Sequence, residues 1–281
     1  MLSILTDINW NKLRILQPFA LALVFALALA ACESLQNLAG GLGGPSDEEM
    51  NQLGTEAFEE IKKETPIDRS GNTNTYVNCI TGALLAQIRN PDGSYPTGVT
   101  SWEVVVFRDN TANAFALPGG KIGVHTGILP VAQNQHQLAA VLGHEVAHVT
   151  QRHGKQRMVS SGYAQMAIGV IGETVFGDSE YKDEITGAMG AGAVYGVIMP
   201  FGRSHESEAD LIGQETMARA GFNPTESVTL WVNMAQAGGG APPEFLSTHP
   251  SHETRINDLR ANLSKTLPLY QAATNRPNCR L

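Results

Sequence analysis

The sequence predicts an α+β fold, mainly helical, with a small β-sheet or hairpin set beside one central helix. Three observations carry this prediction. Apolar residues recur at helical spacing in several long windows. A short β-rich run, Trp102-Glu103-Val104-Val105-Val106-Phe107, is followed by two further segments joined through Pro118-Gly119-Gly120. Everything after Val131 reads as helix. No internal repeat interrupts this order.

The elements follow one another as expected from their residues. Asp47–Glu64 is predicted as a helix that buries Met50, Leu53, Phe58 and Ile61. A second helix is expected from Val77 to Ile88. The strand at 102–107 precedes Asn113–Leu117 and Lys121–His125, with Pro118-Gly119-Gly120 as the turn between them. Asn134 then reads as the N-cap of the central helix, with Gln137 as its capping-box partner. Leu138, Leu142, Val146 and Val149 form a core-facing stripe, which leaves Val141, His144 and His148 on the opposite face. The stretch Ile185–Gly202 is uncharged and rich in Gly and Ala. Five glycines and Pro200 argue against a membrane span and for a buried helix and loop over the central helix. Ser204 is the expected N-cap of a last clear helix through Arg219, with Ala209, Leu211, Ile212 and Met217 as its apolar positions.

The central helix carries the chemistry. In His144-Glu145-Val146-Ala147-His148, histidines four apart project from one side and converge on a single point. The glutamate between them lies about 100° round the helix, in reach of that point. Such a histidine pair suits zinc, which lowers the pKa of a coordinated water to roughly 7 so that a carboxylate base releases it to attack a carbonyl. That is the machinery of peptide hydrolysis. Gln151 and Gly154 break the longer pattern in which a third histidine follows on the same stretch. His153 is one residue out of that register, a surface or supporting group. The third ligand is sought in Ser204-His205-Glu206-Ser207-Glu208-Ala209-Asp210, where Glu206 and Asp210 share a face. One carboxylate suits the metal and the other a ligand histidine's free ring N–H. The bland alternative is an acidic first helical turn favoured by the helix dipole.

With these two motifs together, the chain resembles the HtpX and CAAX-prenyl-protease family of zinc metalloendopeptidases. Three more segments agree: Asn113-Ala114-Phe115-Ala116-Leu117-Pro118-Gly119-Gly120, Gln137-Leu138-Ala139-Ala140-Val141-Leu142-Gly143, and Ser247-Thr248-His249-Pro250-Ser251 with Arg255. The last resembles the periplasmic lipoprotein members of the LoiP and BepA type. The resemblance spans about residues 50–265. It implies a zincin-like domain with one Zn2+ per chain, held by His144, His148 and Glu206, with Glu145 as general base and Asp210 behind the ligands. It implies that Asn113, Ala114, Phe115 and Ala116 line up an extended substrate; an edge strand there would hold a peptide through its backbone and read little side-chain sequence. His249 either approaches the metal, to regulate or assist, or is a turn residue ahead of Pro250. Arg255 either meets substrate or an oxyanion, or forms an ordinary helix salt bridge.

The front of the chain speaks to location. Lys12 and Arg14 precede an apolar stretch, Phe19–Ala31, that is short for a membrane span, and Leu29-Ala30-Ala31-Cys32 resembles a lipoprotein processing site. The expected organisation is a signal peptide at 1–31, a flexible tether at 32–46 from a lipidated Cys32, the metallopeptidase domain at 47–265 and a tail at 266–281. A simple secretory signal cleaved nearby is the alternative. Glu33 after the cysteine points to the outer membrane, with the enzyme facing the periplasm.

Composition agrees with a secreted globular enzyme. The 281 residues carry a net charge of -8. Removing 1–31 takes away Lys12, Arg14 and Asp7 and leaves 17 basic against 26 acidic side chains, which excludes nucleic acid as the expected partner. All eight histidines fall between His125 and His252. Besides Cys32 there are only Cys79 and Cys279, which pair in an oxidising compartment or stay as two thiols. The expected activity is endoproteolysis of misfolded or misassembled envelope proteins, alongside partner proteases or outer-membrane assembly machinery. A chaperone-like lipoprotein with a latent zinc site and a zinc amidase acting on small or cell-wall peptides are the alternatives.

Overall fold

Ser46 starts the first helix, α1 (Asp47–Glu64), by a reciprocal pair of bonds: its hydroxyl accepts from Glu49 N–H, and the Glu49 carboxylate accepts from Ser46 N–H at 2.7 Å. Three acids in the first turn and Lys62 and Lys63 in the last complement the helix dipole. The buried stripe is narrower than the sequence suggests, because Met50 and Phe58 are buried while Leu53 and Ile61 are only half-buried. The computed structural model describes residues 44–90, 92–160, 201–237, 249 and 253–281. The expected signal peptide, Cys32, most of the tether, most of the Ile185–Gly202 stretch, and Ser247, Thr248, Pro250 and Ser251 lie outside the described residues.

The second helix, α2 (Gly71–Leu85), begins six residues before the expected start and ends three before the expected end. Polar Asn72, Thr73 and Asn74 hide the periodicity in its first turns, but Ser70 caps it by accepting from Thr73 N–H. Its buried face, Val77, Ile80 and Leu84, supplies one wall of the main core.

Three strands make one sheet in the order β1-β3-β2: β1 (Glu103–Phe107), β2 (Ala114–Leu117) and β3 (Lys121–His125). β3 pairs parallel with β1 and antiparallel with β2, so β2 is an edge strand of the hairpin, as the sequence predicts. The turn between β2 and β3 requires both its glycines. Gly119 and Gly120 have φ of 80° and 72°, and a Cβ on Gly120 would meet Ser101 O at 2.5 Å. One sheet face holds Phe107 and Leu117 against Phe58 of α1, with Phe58 and Phe107 edge to face at 6.0 Å. The other face packs Val106, Ile122 and Val124 into the main core with α2 and the central helix.

That central helix, α3 (Gln135–Thr150), is buried at every position from Gln137 to Thr150. The two-faced helix expected from the sequence is therefore a helix enclosed all round, between β2, α2 and two of the three later helices. Asn134 caps it, accepting from His136 and Gln137 N–H, while the Gln137 side chain reaches one residue further back, to Gln133 N–H. The later helices are α4 (Arg203–Arg219), α5 (Thr225–Ala237) and α6 (Glu253–Ala272). Gly202, not Ser204, is the N-cap of α4, and no side chain caps it.

Two glycines let α3 and α4 cross with backbones nearly touching. A Cβ on Gly213 would lie 2.7 Å from His144 N, and one on Gly143 would lie 3.0 Å from Gly213 O. This contact sets the distance between the histidines of α3 and the carboxylates of α4. α6 runs on through the expected boundary at 265, and a Cys79–Cys279 disulfide ties the C-terminal segment to α2. Among the described residues no helix is long and apolar enough to cross a membrane.

Candidate metal centre

The crossing of α3 and α4 brings His144, His148 and Glu206 together, and His249 joins them; their donor atoms all lie within 4.8 Å of one another, and all four residues are buried. The spacings match a ligand set. His144 Nε2 is 3.0 Å from His148 Nε2 and 3.5 Å from Glu206 Oε2, while His148 Nε2 is 3.6 Å from Glu206 Oε1. His249 Nδ1 lies 3.2 Å from His144 Nε2 and 3.1 Å from Glu206 Oε1. Ligand atoms about 2.0–2.1 Å from a tetrahedral zinc stand about 3.3–3.4 Å apart, which these edges bracket. The donor set therefore fits one zinc ion.

Electrostatics point the same way. Burial works against a charged His144 ring, but the carboxylates of Asp210 and Glu206 outweigh it and push its pKa up to about 9. Burial likewise opposes the Glu206 charge, and His144 and His249 hold its carboxyl well below the usual carboxylate range. His148 moves the other way: burial, then the positive charges of its neighbours, keep its ring neutral, as a ligand must be.

Glu145 sits beside this group with its Oε1 buried and without a hydrogen-bond partner among the described residues. Burial raises its pKa above that of an ordinary glutamate, while the charges of His249 and His144 oppose the rise. Of the predicted substrate strand, Ala114, Phe115 and Ala116 lie on β2 and Asn113 just before it. The Phe115 ring turns into the Phe58–Phe107 cluster rather than toward the metal group.

Behind the ligands, Asp210 Oδ1 lies 2.9 Å from His144 Nδ1, the placement its spacing from Glu206 suggests. Of its two expected roles Arg255 takes the salt bridge, but a buried one behind the ligands. Only 2% exposed, it donates to both Asp210 oxygens, at 2.6 and 2.8 Å, and lies 2.8 Å from Glu206 Oε2. Its guanidinium also covers the Trp231 ring at 3.8 Å. It is a buried cation that offsets two carboxylates at once. His153 is no surface group either: it is fully buried against His148. Of the two expected readings it takes the supporting one, and it reaches His148 because the helix breaks at Arg152, with φ of 59°.

Peptidase family M48 matches this chain over residues 73–263. The mitochondrial metalloendopeptidase OMA1 of Saccharomyces cerevisiae is 36% identical over 188 residues, 64% of this chain and 52% of its own length. OMA1 of Schizosaccharomyces pombe is 35% identical over 181 residues, 63% of this chain and 50% of its own length. The beta-barrel assembly-enhancing protease of Escherichia coli K12 is 26% identical over 224 residues, 78% of this chain and 44% of that protein. The chain spans about half the length of the curated relatives it matches. The family match covers the histidine pair, the α4 carboxylates and Arg255, so the chain whose α3 and α4 form this centre belongs to peptidase family M48.

Proposed function

We propose that this protein is a zinc-dependent endopeptidase, with His144, His148 and Glu206 as metal ligands and Glu145 as general base. The observation that carries the proposal is the buried Glu145 carboxylate beside a ligand set of zinc dimensions. A bound zinc supplies Lewis acidity, polarising the scissile carbonyl and acidifying water. Glu145 takes the proton of the attacking water and returns it to the leaving amine, so that a C–O bond forms as the C–N bond breaks. The raised pKa of Glu145 brings it toward the working pH. β2 offers its edge to an extended peptide, which suits unfolded chains of varied sequence.

His249 decides whether the site is open. Its Nδ1 faces Glu206 and its Nε2 lies 3.3 Å from Glu145 Oε1, so the ring fills the space between base and ligands. Turnover requires that ring to move aside. A non-catalytic protein with a closed four-ligand site is the second reading, favoured by the same ring. Misfolded or misassembled proteins of the cell envelope are the proposed substrates, reached from a lipid anchor at Cys32. The name of the beta-barrel assembly-enhancing relatives supports an envelope setting, whereas that of the OMA1 relatives is mitochondrial.

Purified protein incubated with casein separates the two readings. Wild type is expected to cleave and to lose cleavage to a chelator, while Glu145→Gln keeps its zinc and cuts nothing. Cleavage by Glu145→Gln at the wild-type rate would remove Glu145 from the mechanism.

A further inference from the structure

We infer that His153 is a positioning residue for the metal: it fixes the tautomer and ring plane of His148 through a Glu208–His153–His148 relay. This rests on the zinc reading above and deepens it. His148 Nδ1 lies 2.9 Å from His153 Nδ1, and His153 Nε2 lies 3.3 Å from Glu208 Oε2. A contact between two Nδ1 atoms is a hydrogen bond only if one carries the proton and the other does not. A His148 that offers Nε2 to a metal carries its proton on Nδ1. It must then donate to His153 Nδ1, which is bare. The His153 proton sits on Nε2 and is donated to Glu208. One carboxylate thus sets the tautomers of two rings in series.

The backbone is bent to make this contact. In an unbroken helix, five residues would carry His153 about 140° round from His148 and about 7.5 Å along. Instead α3 ends at Thr150, Arg152 takes φ of 59°, and residues 153–160 resume as helix. A non-glycine residue in that region is strained and persists only where its surroundings hold it. Asp47, at the start of α1, does so, receiving Arg152 Nε at 2.9 and 3.0 Å. Stacking holds the two ring planes: Phe201 covers His148 at 3.9 Å and 23°, and His205 covers His153 at 4.4 Å and 15°. The two ligand histidines are therefore steadied differently. Asp210 bonds His144 directly, whereas His148 is reached through an intervening imidazole.

The test compares His153→Asn with His153→Phe. An asparagine Oδ1 stands the same number of bonds from the backbone as a histidine Nδ1 and accepts the His148 proton; phenylalanine fills the space and accepts nothing. Zinc affinity is measured on metal-free protein by competition with a chromophoric chelator. His153→Phe is expected to bind zinc about 10–100-fold more weakly than wild type, and His153→Asn within about threefold of it. In 15N spectra of the zinc-loaded protein, the His153 ring, identified by its loss in His153→Asn, should carry its proton on Nε2. Equal affinities for the two variants, or a proton on His153 Nδ1, would overturn the relay. His148→Ala binding zinc as tightly as wild type would instead overturn the underlying ligand assignment.

Discussion

Replacing Arg255 with methionine removes a buried guanidinium that bonds Asp210 and also faces Glu206, while roughly keeping the side chain's volume. Arg255 is 2% exposed and Asp210 5%, so water does little to screen either charge. Deleting one partner of a buried pair costs about 3–5 kcal/mol, because the remaining charge stays buried. Loss of the contact over Trp231 adds about 0.5–2 kcal/mol. Set against a total stability of about 5–15 kcal/mol, this is a large fraction. At about 2–4 °C per kcal/mol the two losses together correspond to a melting point lower by about 7–28 °C in metal-free protein. A bound zinc brings its own positive charge to Glu206, so zinc-saturated protein should lose less. The pH dependence adds a second signature. In the wild type, burial raises the Asp210 pKa but Arg255 overrides it, so the net shift is downward; the stability Asp210 contributes is present above the ordinary carboxylate pKa and lost as pH falls through the lowered value. In Arg255→Met only burial and His144 remain, the Asp210 pKa rises, and the gap between variant and wild type narrows on going from pH 7 to pH 5. Thermal unfolding of stripped and zinc-loaded protein at both pH values reads all of this. A stripped variant melting within about 2 °C of wild type would refute the clamp.

Four further outcomes are expected. His249→Ala vacates the space beside Glu145, so casein turnover should rise while zinc affinity falls about tenfold; an unchanged rate with unchanged affinity would show that the ring does not occupy the site. Zinc must displace the proton that keeps His144 charged up to about pH 9, so apparent affinity should climb about tenfold per pH unit through neutrality and flatten above about 9. The same proton stabilises the metal-free protein below about pH 6.5, and that contribution should vanish as pH rises through about 9, as calorimetric titration and melting curves would record. Gly213→Ala places a methyl against His144 N and should lower stability by about 1–3 kcal/mol, with weaker zinc binding in chelator competition because α3 and α4 move apart.

The sequence made the site's chemistry legible because that chemistry is local. Residues four apart on a helix share a face whatever the rest of the chain does, which is why His144 and His148, and Glu206 and Asp210, could be paired at sight. The sheet was legible for a similar reason: Pro118-Gly119-Gly120 permits little besides the turn it makes, and β2 and β3 extend from it almost as expected. What escaped depends on tertiary packing or on a single backbone angle. The closeness of Gly143 and Gly213 belongs to a helix crossing that no local pattern encodes. Arg255, 49 positions beyond Glu206, shows nothing in sequence that tells a buried clamp from a surface salt bridge. Whether His153 lies on the surface or behind a ligand turns on the helix break after Thr150, which its spacing does not reveal. The start of α2 was lost behind polar residues whose capping outweighs their hydropathy.

Anomalous diffraction at the zinc absorption edge, on crystals of the active protein, bears most directly on the central claim. The account predicts a single peak per chain, about 2.0–2.2 Å from His144 Nε2, His148 Nε2 and a Glu206 carboxylate oxygen. No peak there, or a metal bound while Glu206 faces elsewhere, would contradict it.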